Sequence, residues 1–308
     1  MSARVVAILG PTAVGKTSLG IRLGRHIPGE VINADSRYLY RGFSIGVAKP
    51  SLVEQAGVPH HLIDILEPSE EMSLALYQDR ANQAIRSVLT GDQLPLLVGG
   101  TPLYANAVIE GWSIPNVPPD PAFRASLQQR VDRGELSALI DELSIFDPES
   151  ARRAAGNARR VIRALEIFTH TGKTMTELQG KGPPPFDTLQ LGLWMPRNRL
   201  FEAIDRRVDK QIASGLVDEV RSLLLSGVDP NCPAFSAIGY RQLLPYLANE
   251  IRLSDAVDRI KYDTHRYVRH QETWLKKNRS LIQIDVTDSN WQDRCIGLVE
   301  TFLTGKGE

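Results

Sequence analysis

Gly10-Pro11-Thr12-Ala13-Val14-Gly15-Lys16-Thr17 follows an apolar run over residues 5–9 and leads into a helical pattern over 16–27. The spacing matches a Walker A phosphate loop. Glycines let successive amides turn inward around an anion, and the new helix aims its positive end at the same point. Lys16 adds a full charge, and the Thr17 hydroxyl suits a magnesium ion. The loop reads phosphates and not adenosine. ATP is its common occupant, but any organic diphosphate with magnesium satisfies the same amides.

The same alternation continues outward from the loop. Short apolar runs over 31–34, 62–65 and 96–98 read as further strands, and 73–89 and 102–109 as helices, with Ser73 as an N-cap. Near-continuous apolar strands separated by helices predict a parallel sheet covered on both faces. The expected fold is therefore α/β, a P-loop NTPase-like parallel sheet core. Four prolines between Ile114 and Pro121 break the pattern, and Gly180-Lys181-Gly182-Pro183-Pro184-Pro185 punctuates it again. Between them lie short helices without a clear strand. The division expected is a core of 1–111 and 189–308, with a helical insertion over 112–188. A strand over 189–195, a long helix from about Arg199 and a last strand over 281–284 complete the core.

Composition bounds the function classes. Of 308 residues 42% are hydrophobic and 23% charged, ordinary for a globular chain of about two domains. Lys plus Arg and Asp plus Glu are 36 each, so a polyanion partner must be recognised by local clustering and not bulk charge. Cys232 and Cys295 are too few and too far apart for a disulfide framework or a metal knuckle, and read as reduced thiols. No apolar run reaches the ~20 residues of a membrane span, and the N-terminal run is short for a secretion signal. A cytoplasmic protein is expected, and nothing calls for an obligate oligomer, so a monomer.

Asp35 ends the second strand, on the sheet edge where ligands of open α/β folds bind. There it could ligate magnesium, act as a general base, or merely close an Asx turn. Leu97-Val98-Gly99-Gly100-Thr101 repeats the strand–glycine–hydroxyl layout, so Thr101 is either a ligand contact or a plain N-cap. His60 and His61 face opposite sides of a strand, which makes a joint metal site implausible and structural roles the better reading. Arg152, Arg153, Arg159, Arg160, Arg163 and Lys173 surround the single acid Glu166; Val161, Ile162, Leu165 and Phe168 can form that helix's buried side. A second run holds Arg259, Lys261, Arg266, Arg269, Lys276, Lys277 and Arg279 among Tyr262, Tyr267 and Trp274. Either run is a solvated face or a nucleic-acid backbone contact. A transferase, a small-molecule or nucleoside kinase, and an RNA-binding GTPase-like module all remain open on these grounds.

The ordered motifs resemble the bacterial tRNA dimethylallyltransferase (tRNA isopentenyltransferase) family. They are Gly10–Thr17, Ala34-Asp35-Ser36-Arg37, Tyr40-Arg41-Gly42, Ile45-Gly46-Val47-Ala48-Lys49-Pro50, Pro59-His60-His61-Leu62-Ile63-Asp64, Gly99–Tyr104, Asn157–Glu166, Ile204–Asp209, Ala237–Arg241 and Gln271-Glu272-Thr273-Trp274. The resemblance implies transfer of a dimethylallyl group from dimethylallyl diphosphate to the exocyclic amine of the adenine 3′ of the tRNA anticodon, with magnesium and without nucleotide consumption. It implies Asp35 as general base and Thr101 orienting Asp35 or the incoming base. Arg207 with Gly10, Pro11, Thr12, Ala13, Val14, Gly15, Lys16 and Thr17 would hold the diphosphate, and Thr17 the metal. It implies tRNA contacts by Asp35, Ser36, Arg37, Tyr38, Thr101, Arg124, Arg159, Arg160, Val161, Ile162, Arg163, Gly239, Tyr240 and Arg241, the insertion gripping the anticodon stem-loop. Val47 and Ala203 depart from the usual Thr and Arg, and His265 and His270 replace two arginines. If both histidines met phosphate, tRNA affinity would rise as pH falls from ~8 to ~6.

Overall fold

Six parallel strands form the centre of the computed structural model, in the order β3-β2-β4-β1-β7-β8. The structure describes residues 3–154 and 156–305; Met1, Ser2, Ala155 and 306–308 lie outside it. In chain order the first unit contains β1 (Arg4–Leu9), α1 (Lys16–His26), β2 (Gly29–Asn33), α2 (Leu52–Gln55), β3 (His60–His61), α3 (Leu74–Thr90), β4 (Leu94–Gly99) and α4 (Pro102–Ile109). A second unit contains β5 (Trp112–Ser113), α5 (Pro121–Asp132), α6 (Leu136–Phe146), α7 (Pro148–Ala154), α8 (Ala158–Thr171), α9 (Met175–Leu178) and β6 (Gly180–Lys181). The first unit resumes with β7 (Asp187–Trp194), α10 (Arg197–Ala213), α11 (Leu216–Leu225), α12 (Leu244–Leu247), α13 (Leu253–Leu275), β8 (Ile282–Asp285) and α14 (Trp291–Thr304).

The unbroken apolar character of β1 has a direct cause. Val5, Ala7 and Leu9 enter one hydrophobic cluster and Val6 and Ile8 the other, so alternate side chains serve the two covered faces. Parallel pairing on both sides of β1 lays the C-terminal ends of β1, β2 and β4 along one edge, and the functional loops all leave from it.

Two expectations are corrected. The apolar run at 62–65 is not a strand: β3 is His60–His61 alone, after which Leu62 and Asp64 take left-handed backbone (φ 60° and 54°). The buried Asn33 amide captures the Leu62 carbonyl at 2.9 Å and ends the pairing there. His61 contacts Glu30 on β2, while His60 Nδ1 bonds the Val58 carbonyl at 2.8 Å.

The expected insertion also ends too late. The two compact units are Met1–Ile109 with Pro185–Glu308, and Glu110–Pro184. After the three prolines Phe186 is buried in the core, and Asp187 and Thr188 already pair with Arg4 and Val5. The second unit has its own core, including Leu127, Leu139, Leu143, Val161 and Leu165. It also contains a pairing that the sequence did not disclose, β5 against β6, antiparallel and two residues long. No helix among the described residues is long and apolar enough to cross a membrane.

Candidate active site

The phosphate loop leaves β1 at buried Leu9 and enters α1 at Lys16. Ala13 and Gly15 both take positive φ, 68° and 100°, which curls the backbone between them; Gly15 does so without a Cβ penalty. The Lys16 ammonium folds back onto the Pro11 carbonyl at 2.7 Å. Burial lowers its pKa to about 8; the Asp35 carboxylate works against this and the Arg207 guanidinium adds to it. The Thr17 hydroxyl meets that of Tyr38, which in turn donates to the Ala48 carbonyl at 2.7 Å. Burial, then the charge of Asp35, pushes the Tyr38 phenol up to about 12, so it stays a neutral donor.

Asn33 aims Asp35. This buried amide closes the end of β2, its oxygen accepting the Asp35 N–H at 2.8 Å and its nitrogen donating to the Asp35 carbonyl at 2.9 Å. Asp35 Oδ1 accepts the Arg37 N–H at 2.9 Å, so the Asx turn is present. The same carboxylate borders two cavities, of about 1020 and 380 Å³. The larger is lined by Lys16, Thr17 and Tyr38, the smaller by Ile238, Thr264 and Tyr267, and Thr12, Asp35 and Arg207 belong to both. Arg207, on α10, is steadied by donating to the Val47 carbonyl at 2.7 Å. Thr101 does not bond Asp35; its Oγ1 accepts the N–H of the next residue, Ser36, at 3.0 Å, while its own N–H donates to Ala34.

A magnesium ion suits this donor set. Among the described residues no group of three or more His, Cys, Asp or Glu is placed to hold a metal. The larger cavity instead offers one hydroxyl, Thr17, and the nearby Asp35 carboxylate beside an anion cradle. That fits a hard cation ligated mostly by phosphate oxygens and water.

Several residues that shape the site were given no role from sequence, although Gln271 stands in one of the motifs. Glu219, on α11, accepts the backbone N–H groups of Ser44, Ile45 and Gly46 and the Tyr240 hydroxyl. Gln211 donates to the Ile45 and Gly46 carbonyls at 2.8 and 2.6 Å. Gln271, on α13, joins the phosphate loop to the loop after β4. A signal was available: Gln211 and Gln271 are polar residues in the core-facing register of amphipathic helices, one turn from buried Val208 and Val268.

The residues expected to meet RNA divide. Val161 and Ile162 are 0% and 6% exposed in the core of the second unit, and Tyr240 is 0% exposed with its hydroxyl spent on Glu219 and Gly46. Their side chains cannot reach a ligand, because the helix periodicity that exposes Arg159 and Arg160 turns Val161 and Ile162 inward. Arg124 and Arg163 clasp Glu166, which is itself fully buried. Arg159, Arg160 and Arg241 are exposed. Arg37 donates to the Pro233 carbonyl at 3.3 Å and the Ser236 hydroxyl at 2.9 Å, and Ser36 and Arg37 line the smaller cavity. Gly239 takes φ 107° and donates its N–H to Gln242. His265 does not present itself to a phosphate: its ring stacks on Phe201 at 4.1 Å and Nε2 lies 2.9 Å from Asp205. Only His270 of the two histidines is exposed, so a pH effect through both is not supported.

Residues 38–278 match the family model described as IPP transferase. The tRNA dimethylallyltransferase of Thermomicrobium roseum is 52% identical over 300 residues, covering 97% of this chain and 91% of that protein. Its counterpart in Halalkalibacterium halodurans is 41% identical, covering 100% and 99%. Among solved structures, the full-length tRNA isopentenylpyrophosphate transferase of Bacillus halodurans superposes with a TM-score of 0.72 at 39% identity, covering 99% of this chain and 96% of that one. A eukaryotic dimethylallyltransferase described as acting on tRNA gives a TM-score of 0.82 at 28% identity, covering 99% and 80%.

Proposed function

The chain belongs to the IPP transferase family, and from that membership we propose that it moves a dimethylallyl group from its diphosphate to the exocyclic amine of the adenine 3′ of the anticodon in tRNA. The observation that carries this reading is the carboxylate of Asp35 on the shared wall of two cavities, one of them built on the phosphate loop. The diphosphate occupies Gly10 to Thr17 with Arg207, and the adenine enters the smaller cavity. The amine nitrogen attacks the allylic carbon, the carbon–oxygen bond breaks with its electron pair leaving on the diphosphate, and Asp35 takes the amine proton. Loop amides, Lys16 and Arg207 meet the charge that grows on the departing oxygen. Thr17 would hold a bound magnesium ion, which would supply further neutralisation of the diphosphate. Thr101 acts on Asp35 at one remove, by fixing the Ser36 N–H.

An anticodon-loop base is cheap to extrude, and a cation-like allyl group needs an enclosed channel to escape capture by water. Ser36 and Arg37 flank the base, Tyr38 faces the diphosphate cavity, and Arg159, Arg160 and Arg241 supply phosphate contacts. Arg124, on α5, ties down the arginine-bearing helix α8 through Glu166, and Arg163 of that helix donates to the Val117 carbonyl at 2.9 Å. The enzyme is read as a cytoplasmic monomer. Purified protein incubated with magnesium, unmodified tRNA and dimethylallyl diphosphate should yield prenylated adenosine, detected by mass spectrometry of digested nucleosides. ATP-dependent phosphorylation with no prenylation would establish a kinase instead.

A further inference from the structure

Gln271 sits 3% exposed on α13, and each end of its amide is committed to a different half of the site. Its Oε1 accepts the N–H of Thr12 in the phosphate loop at 3.0 Å. Its Nε2 donates to the carbonyl of Gly100, in the loop after β4, at 2.6 Å. The next residue, Thr101, accepts the Ser36 N–H at 3.0 Å, and Ser36 directly follows Asp35. An unbroken path therefore runs from the diphosphate cradle through Gln271, Gly100, Thr101 and Ser36 to the carboxylate. One turn earlier on α13, the Tyr267 hydroxyl meets that of Thr101, so the same helix braces this path twice. Gln271 is not among the residues that line either cavity, and both ends of its amide are already bonded to backbone.

We infer that Gln271 is a positioning residue that fixes the separation between the bound diphosphate and the acceptor amine, and so decides whether the allyl group is captured by the amine or by water. The inference rests on the transferase reading. When alignment is lost, the allylic carbon–oxygen bond still breaks with its electron pair leaving on the diphosphate. A water oxygen then bonds to the carbon, the water proton passes to solvent, and dimethylallyl alcohol forms in place of prenylated tRNA.

The test compares diphosphate released with adenosine prenylated, in the wild-type enzyme and in Gln271→Met and Gln271→Glu. Methionine matches the shape and removes both hydrogen bonds, whereas glutamate keeps the acceptor for Thr12 and loses the donor to Gly100. The wild type should release one diphosphate per prenylated adenosine. In Gln271→Met this ratio should rise above one, and kcat for prenylation should fall roughly 10- to 100-fold, the scale of a sub-ångström to ångström misplacement. The KM for tRNA should stay within about twofold. Gln271→Glu, which sets a carboxylate oxygen against the Gly100 carbonyl, should also raise the ratio above one, and it decides the matter if the methionine variant does not fold. One-to-one coupling in both folded variants, whatever their rates, overturns the inference and leaves Gln271 as ordinary packing. A wild-type enzyme that releases diphosphate without prenylating tRNA overturns the underlying reading instead.

Discussion

Replacing Glu166 by glutamine removes the one negative charge that Arg124 and Arg163 share inside the second unit. Burial by itself would raise the Glu166 pKa. Hydrogen bonds from the Arg124 side chain, the Asp120 N–H and the Arg163 side chain outweigh it and bring the value from 4.5 down to about 2. At about 1.4 kcal/mol per pH unit, that difference makes the ionised carboxylate worth about 3 kcal/mol of folding free energy at neutral pH. The sign follows from the direction. A carboxylate whose folded pKa lies below its unfolded one stabilises above pH 4.5 and loses the contribution as pH falls from 4.5 toward 2. Both arginines reach solvent, so the loss should stay at or below this figure and not approach the ~5 kcal/mol possible when a fully buried pair is broken. Urea unfolding followed by circular dichroism should therefore place Glu166→Gln about 2–3 kcal/mol below the wild type at pH 7, with the gap roughly halved by pH 3. A gap under about 0.5 kcal/mol, the size of an ordinary surface change, or one that does not vary between pH 7 and 3, refutes the argument.

Asp35→Ala should cost ~100-fold or more in turnover, as expected for a lost general base, with tRNA affinity reduced far less; near-normal turnover would leave Asp35 only its Asx turn. Because Lys16 in the free protein begins to lose its proton near pH 8, binding of diphosphate to the tRNA-free enzyme should be level below pH 7 and weaken above 8, approaching tenfold per pH unit. Lys16→Met should bind weakly with no such slope, which isothermal titration across the range would reveal. Gly46→Ala would set a Cβ 2.4 Å from the ring of Tyr240, which is fully buried and bonded to Glu219. The loop must move, so a loss of about 1–3 kcal/mol in unfolding free energy is expected, together with a higher KM for dimethylallyl diphosphate.

The fold was readable where local chemistry and burial agree. Residues 5–17 fix a buried strand, a phosphate loop and a helix start through short-range rules, and the structure follows them nearly residue for residue. The apolar run at 62–65 misled because hydrophobicity reports burial and not extension: Ile63 and Ile65 are partly buried around left-handed turns pinned from outside by Asn33 and Lys49. Asp35 and Arg207 could be placed by strand edge and motif. The core-facing register of Gln211 and Gln271 marks them as buried polar groups, but what they and Glu219 bond was illegible, because the backbone groups they meet lie more than 150 residues away and a single sequence holds no record of such pairings. The arginine cluster shows the opposite failure. A count of charges along the chain cannot tell Arg163, turned inward to Glu166, from Arg159, which is not.

The short pairing of Trp112 and Ser113 with Lys181 and Gly180 is reinforced by the Gly182 N–H on the Gly111 carbonyl at 3.1 Å and by the contact of Lys181 with Glu110. Departure and return of the chain are thereby stitched together at a single seam. The helices between them behave as a cassette: lengthening, shortening or wholesale replacement beyond that seam leaves its two ends side by side. Change within the cassette need preserve only the stitch that closes it.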